Sequence, residues 1–68
     1  MQVRLRIVPG GEEKVLEIKG KATVRRVLNK LGLSPEEYVV TRNGEVVVED
    51  EEVIDGDLLE VYRVASGG

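Results

Sequence analysis

Two residues, Asn43-Gly44, stand between Tyr38-Val39-Val40-Thr41-Arg42 and Glu45-Val46-Val47-Val48 and leave this stretch of chain almost no conformational choice. Asn-Gly favours a two-residue type I′ turn, because both central positions need φ > 0 and these two residues tolerate it best. The β-branched runs on either side must then lie antiparallel, in a register that the turn fixes. Any fold for this chain has to be built around a tight hairpin at this point.

The other segments supply what such a hairpin needs to pack against. In residues 2–8, Val3, Leu5 and Ile7 alternate with Gln2, Arg4 and Arg6, the period of a half-buried strand. Pro9-Gly10-Gly11 offers a fixed φ followed by two permissive positions, so residues 14–19, with Leu16 and Ile18, should return as the strand's partner. Residues 23–31 change period: Val24, Val27, Leu28 and Leu31 fall at i, i+3, i+4 and i+7, while Arg25, Arg26, Asn29 and Lys30 point elsewhere. Thr23 is placed to cap that helix, Gly32 to end it in a left-handed conformation, and Lys30 to face the negative end of its dipole. Ser34-Pro35-Glu36-Glu37 reads as a single capped turn.

After the Asn-Gly hairpin, Glu49-Asp50-Glu51-Glu52 is too polar to pack, and Val53-Ile54 is expected to plug the core from a short turn. Asp55-Gly56-Asp57 makes another tight turn, and residues 58–64 form the last strand, with Leu59 and Val61 on one side and Glu60 and Tyr62 on the other. The order is ββαββ with a final β, an α+β chain in which a mixed sheet packs on one helix. This is a β-grasp layout, with the sheet face away from the helix left wet. It is expected to occupy residues 1–64 as one domain, followed by a flexible Gly-Gly tail at 65–68.

Composition removes whole classes of function. The chain of 68 residues buries only about 60 % of the surface its unfolded form exposes, which leaves no room for a catalytic cavity with walls. Histidine and cysteine are both absent, so the commonest general base, the thiol nucleophile and the softer metal ligands are missing. The acidic run 49–52 lacks the spaced ligands and central glycine of a calcium loop, and no metal site is expected. A formal charge of −3 opposes a phosphate backbone, and with two tyrosines and no other aromatic residue there is no platform for stacking bases. No apolar run approaches the roughly 18 residues needed to cross a bilayer, and the amino terminus lacks an apolar signal core. The expectation is a monomeric, non-enzymatic, cytoplasmic protein that binds neither nucleic acid nor membrane and holds no cofactor.

The β-grasp layout, Asn43-Gly44 followed by Val46-Val47, the Asp55-Gly56-Asp57 turn and the ending Val64-Ala65-Ser66-Gly67-Gly68 together resemble the ubiquitin-like sulfur carriers of the ThiS and MoaD type and their archaeal modifier relatives. The likeness covers the whole chain. It implies that the carboxylate of Gly68, presented by Gly67, is adenylated by a ubiquitin-activating-like enzyme that uses ATP. Conversion to a thiocarboxylate for a sulfur-accepting biosynthetic enzyme would follow, in thiamine thiazole, molybdopterin or thiolated tRNA synthesis. It further implies a partner surface on the open sheet face, comprising Thr41, Glu60 and Tyr62, with Arg63, Val64, Ala65 and Ser66 leading to the reacting end. Glu60 departs from the more aliphatic face of ubiquitin. Two other readings stand beside this one. The chain could be a modifier joined through Gly68 to substrate lysines, or an interaction module with an inert tail. Lys14, Lys19, Lys21 and Lys30 are all candidate acceptors, and the sequence does not rank them.

Overall fold

The structure is a computed structural model and describes residues 1–8 and 10–64, so Pro9 of the first turn and the whole expected tail at 65–68 lie outside the described residues. Strand β1, Gln2–Val8, keeps the period of two, with Val3 and Leu5 fully buried and Gln2 and Arg4 exposed. Its partner β2 runs antiparallel over Glu12–Glu17, not over 14–19 as the apolar pattern suggested. The turn decides the difference. Gly11 donates its N–H to the carbonyl of Ile7 at 2.9 Å, so pairing begins at once, and Glu12 and Glu13 enter the ladder opposite Ile7 and Arg6. Ile18 falls past the strand but is 2 % exposed, held by backbone bonds in both directions with Met1.

A two-residue strand β3, Ala22–Thr23, leads into helix α1, Val24–Lys30. The Thr23 hydroxyl accepts from the Arg26 N–H at 3.3 Å, as its place before the helix predicts. The remaining free amides of the first turn are met from a distance: Val24 and Arg25 donate to the carbonyls of Glu51 and Glu49, both at 2.9 Å. At the other end Gly32 has φ 75°, and the bonds Gly32 N–H to Asn29 and Leu33 N–H to Leu28 close a Schellman motif. Val24, Val27 and Leu28 are fully buried, each such side chain contributing about 1.5–3 kcal/mol through removal from water.

A 3₁₀ turn at Pro35–Glu37 follows, with Glu37 N–H bonded to the Ser34 carbonyl at 3.0 Å; the Ser34 hydroxyl itself caps nothing. Strands β4, Tyr38–Arg42, and β5, Glu45–Val47, flank Asn43 at φ 52° and Gly44 at φ 90°, the pair of positive values a type I′ turn requires. Strand β6, Glu52–Val53, pairs antiparallel with β3 in a small second sheet that no sequence pattern announced. Of Val53-Ile54 only Val53 plugs the core, at 2 % exposure; Ile54 is 62 % exposed, because the pairing of Val53 with Ala22 turns the next side chain outward.

Strand β7, Leu58–Arg63, completes a five-stranded sheet in the order β2-β1-β7-β4-β5. It lies parallel to β1 and antiparallel to β4. The Asp55-Gly56-Asp57 turn sets its entry. Gln2 N–H reaches Asp55 Oδ1 at 2.6 Å, Ile54 N–H reaches Asp57 Oδ2 at 2.8 Å, and Gly56 N–H reaches the Gln2 carbonyl at 2.8 Å. Asp57, only 3 % exposed, acts as a turn former through the local Ile54 amide, whereas the Asp55 carboxylate ties the turn to β1. The helix covers one sheet face and the core lies between them, with Leu5, Leu28, Leu59 and Val61 at its centre.

Candidate functional site

Alternation sorts the side chains of β7 from Leu59 to Tyr62, and at its end Arg63 emerges into solvent although it shares the parity of Leu59 and Val61. Leu59 and Val61 have no exposed surface, while Glu60, Tyr62 and Arg63 are partly or largely accessible at or beyond the face opposite the helix. Because β7 lies between β1 and β4, that face is framed by both neighbours. Arg6 and Thr41 stand beside Glu60, and Val8 and Val39 beside Tyr62. The body reaches up to the last described residue: Val64 donates its N–H to the Glu37 carbonyl at 2.9 Å and is 42 % exposed.

The candidate partner residues therefore divide into three groups. Tyr62, Arg63 and Val64 are exposed in sequence at the end of β7. Glu60 shares the face of Tyr62 but is engaged with Arg6 at 3.6 Å, so the feature that sets this face apart from a more aliphatic one is partly neutralised within the molecule. Thr41 corrects the expectation of an open contact: it lies on the right face but is 8 % exposed, between Glu60 on β7 and Val46 on β5, and among the described residues its Oγ1 has no hydrogen-bond partner. Gly67, Gly68, Ala65 and Ser66 lie outside the described residues.

Two side chains that motif reading passed over belong to this surface. Val39 at 37 % exposure stands opposite Tyr62, and Val46 at 72 % stands opposite Thr41. The signal was available: once the Asn-Gly turn pairs Arg42 with Glu45, stepping one residue back along each strand puts Val46 beside Thr41 on the wet face.

Charge on the opposite half of the same face is closed on itself. Arg4 holds Glu13 at 2.6 Å, Arg6 holds its second oxygen at 3.3 Å, and Arg6 also reaches Glu60. The hydrogen bonds from Arg4 and Arg6 hold the Glu13 carboxyl below the usual glutamate range. The acidic run is likewise engaged: Arg25 bonds Glu49 at 2.7 Å and Asp50 at 2.6 Å, and Arg42 bonds the Glu52 carbonyl at 2.8 Å. The hydrogen bond to Glu49, with the charge of Asp50 beside it, pushes the pKa of the Arg25 guanidinium up. Among the described residues no three acidic side chains converge on a site that would hold a metal ion. Among the described residues no helix is long and apolar enough to cross a membrane.

A mixed five-stranded sheet clasping one helix, with its central strand β7 running out beside the 3₁₀ turn, defines a ubiquitin-like β-grasp protein of the sulfur-carrier and modifier type. Within that class the chain belongs to the small archaeal modifier protein 2 family, whose pattern it matches over residues 1–65. It is 43 % identical to the sulfur carrier protein TtuB of Thermus thermophilus over 68 residues, the whole of both chains. Among solved structures it is similar to SAMP1 from Haloferax volcanii, at 25 % identity and a TM-score of 0.75 over all of both chains. It is similar also to the thiamine biosynthesis protein ThiS from Geobacter metallireducens, at 26 % identity and a TM-score of 0.64, covering 96 % of this chain and 99 % of that one.

Proposed function

We propose that this protein is a sulfur carrier whose reacting group is the carboxylate of Gly68. The observation that carries the reading is the full-length identity of 43 % to a protein named as a sulfur carrier, in a chain that ends in two glycines. The chemistry is simple to balance. A carboxylate is a poor electrophile, so a ubiquitin-activating-like enzyme joins one of its oxygens to the α-phosphorus of ATP and pyrophosphate leaves. Hydrosulfide then attacks the acyl carbon, AMP departs with the oxygen, the sulfur loses its proton to water, and a thiocarboxylate remains for transfer to a biosynthetic acceptor.

The chain's own contribution is presentation. Val64 is bonded to Glu37 at the rim of the body, and at up to about 3.6 Å per extended residue the four residues beyond it reach roughly 14 Å. Glycine at 67 and 68 lacks a Cβ, so a narrow channel can admit the backbone. Catalysis on this reading belongs to the partner, which supplies the ATP site, and the carrier works as a monomer in the cytoplasm.

The test is an incubation of the full chain with its activating enzyme, ATP and a sulfur donor, followed by intact-mass measurement. Replacement of one terminal oxygen by sulfur is the expected product, and removal of Gly68 abolishes it. The family's description as a modifier supports a second use of the same activated end, in which a lysine amine replaces sulfur as the nucleophile. Isopeptide-linked peptides carrying the tail would establish that use. Unchanged activity in cells after deletion of Gly68 would instead leave a module that binds through its sheet face alone.

A further inference from the structure

Five of the seven large apolar side chains exposed among the described residues crowd one end of the molecule: Val39, Val46, Val48, Tyr62 and Val64. Beside them, at the β5 edge of the sheet, lies a groove of about 310 Å³ that Val39 and Val46 of the open face help to line. Leu28 and Val40, both buried, form its floor, and Pro35, Tyr38, Val39 and Val48 are among its walls.

The groove exists because β5 stops short. The pairing of β4 with β5 ends at Val40 and Val47, while β4 itself begins two residues earlier at Tyr38. Past Val47 the chain turns away, Glu51 N–H bonding the Val48 carbonyl at 3.0 Å, to bring the Glu49 and Glu51 carbonyls to the first amides of the helix. Capping the helix thus leaves Tyr38 and Val39 of β4 paired only with β7, with no β5 residue opposite them among the described residues, and Val48 69 % exposed.

The rim is acidic. Glu36 and Glu37 are exposed, and among the described residues neither has a cation within 4 Å; Arg63, opposite Tyr38 on β7, engages neither. Glu49, which also lines the groove, is held by Arg25. The same Glu37 anchors Val64 through its carbonyl, so the groove opens beside the root of the tail. A cleft that draws in residues 65–68 must bring its own surface against this rim.

We infer that the groove is a docking site for the adenylating enzyme, taking an apolar side chain flanked by Lys or Arg from an extended segment of that enzyme. The inference rests on the carrier reading above and adds to it the surface that recognises the enzyme. The apolar centre provides affinity, and the unpaired carboxylates speed encounter with a basic partner.

The experiment is ATP–pyrophosphate exchange by the purified adenylating enzyme, with the full-length carrier as the varied substrate. Val48→Glu raises KM by about tenfold with kcat unchanged, since it places a charge where an apolar contact is desolvated. Glu36→Lys combined with Glu37→Lys also raises KM, and it removes the rise of KM with salt that the wild type shows. Val15→Glu, on the far edge, leaves both constants as they were. Thermal melts followed by circular dichroism establish that each variant is folded. A KM for Val48→Glu within about twofold of wild type, or a fall in kcat at constant KM, overturns the docking assignment while leaving the carrier reading in place. Absence of exchange with the wild type overturns the carrier reading and the docking site together.

Discussion

The two hairpins occupy opposite edges of one sheet and treat their surfaces in opposite ways. Along β1 and β2 the outward side chains are mostly polar, with Arg4 and Arg6 gripping Glu13 and Arg6 reaching on to Glu60, although Val15 beside Arg4 is left 58 % exposed. Along β4 and β5 the outward side chains are Val39, Thr41 and Val46, and β5 is only three residues long. An edge strand risks pairing with foreign chains, and charge is one way to blunt it. The first hairpin uses that device. The second leaves Val39, Val46 and Val48 open together, so the two edges differ in how much apolar surface they gather in one place and in how much charge is paired within the molecule.

The largest effect breaks both edges at once. Leu28 is fully buried against the sheet and also floors the groove. Leu28→Ala should cost about 2–5 kcal/mol, read from urea denaturation, and both hairpins should unfold in the same transition. A next, more selective change is Gly44→Val. No atom lies within 4 Å of the position a Cβ would take, so the cost comes from holding φ at 90° and amounts to about 1–2 kcal/mol. Hydrogen exchange should accelerate at Val46 and Val47 more than at Val15 and Leu16. Equal acceleration at both edges would show that the hairpins do not differ in the way described.

Thr41→Val tests the border between the two surfaces. The buried hydroxyl has no partner among the described residues, so a methyl group of similar shape should raise stability by up to about 1 kcal/mol, seen as a higher melting temperature. The smallest effect belongs to Glu13→Gln. The Arg4 and Arg6 hydrogen bonds lower the folded-state pKa of Glu13, so its stabilisation is complete above the unfolded glutamate value near about 4.3 and is lost as pH falls through the lowered value. Wild type should therefore be the more stable at neutral pH, and the difference should shrink on acidification and in high salt.

Much of this architecture was legible locally. The alternation of Val3, Leu5 and Ile7, the stripe of Val24, Val27 and Leu28, Thr23 before the helix, Gly32 after it and the Asn43-Gly44 turn each specify a conformation through neighbouring residues alone. The start of β2 was misread because Glu12 and Glu13 look like loop residues until Arg4 and Arg6 are set opposite them. The polar run at 49–52 looked unpacked for the same reason, since Arg25 and Arg42 hold it from distant parts of the chain. Of the candidate site, the side of β7 that carries Glu60 and Tyr62 followed from alternation, whereas the burial of Thr41 and the exposure of Val39 and Val46 required the register of three strands.

The sequence by itself determined where the chain turns, which residues alternate and which helix face is apolar, because φ, ψ and side-chain direction are set within a few residues. Only the tertiary structure decided that β7 lies between β1 and β4, that β3 finds β6, and that capping the helix draws the chain away from β4 and opens a groove. Those outcomes depend on pairings between segments tens of residues apart. Each is chosen by the competition of backbone groups for partners once the core has formed, and no local pattern records it.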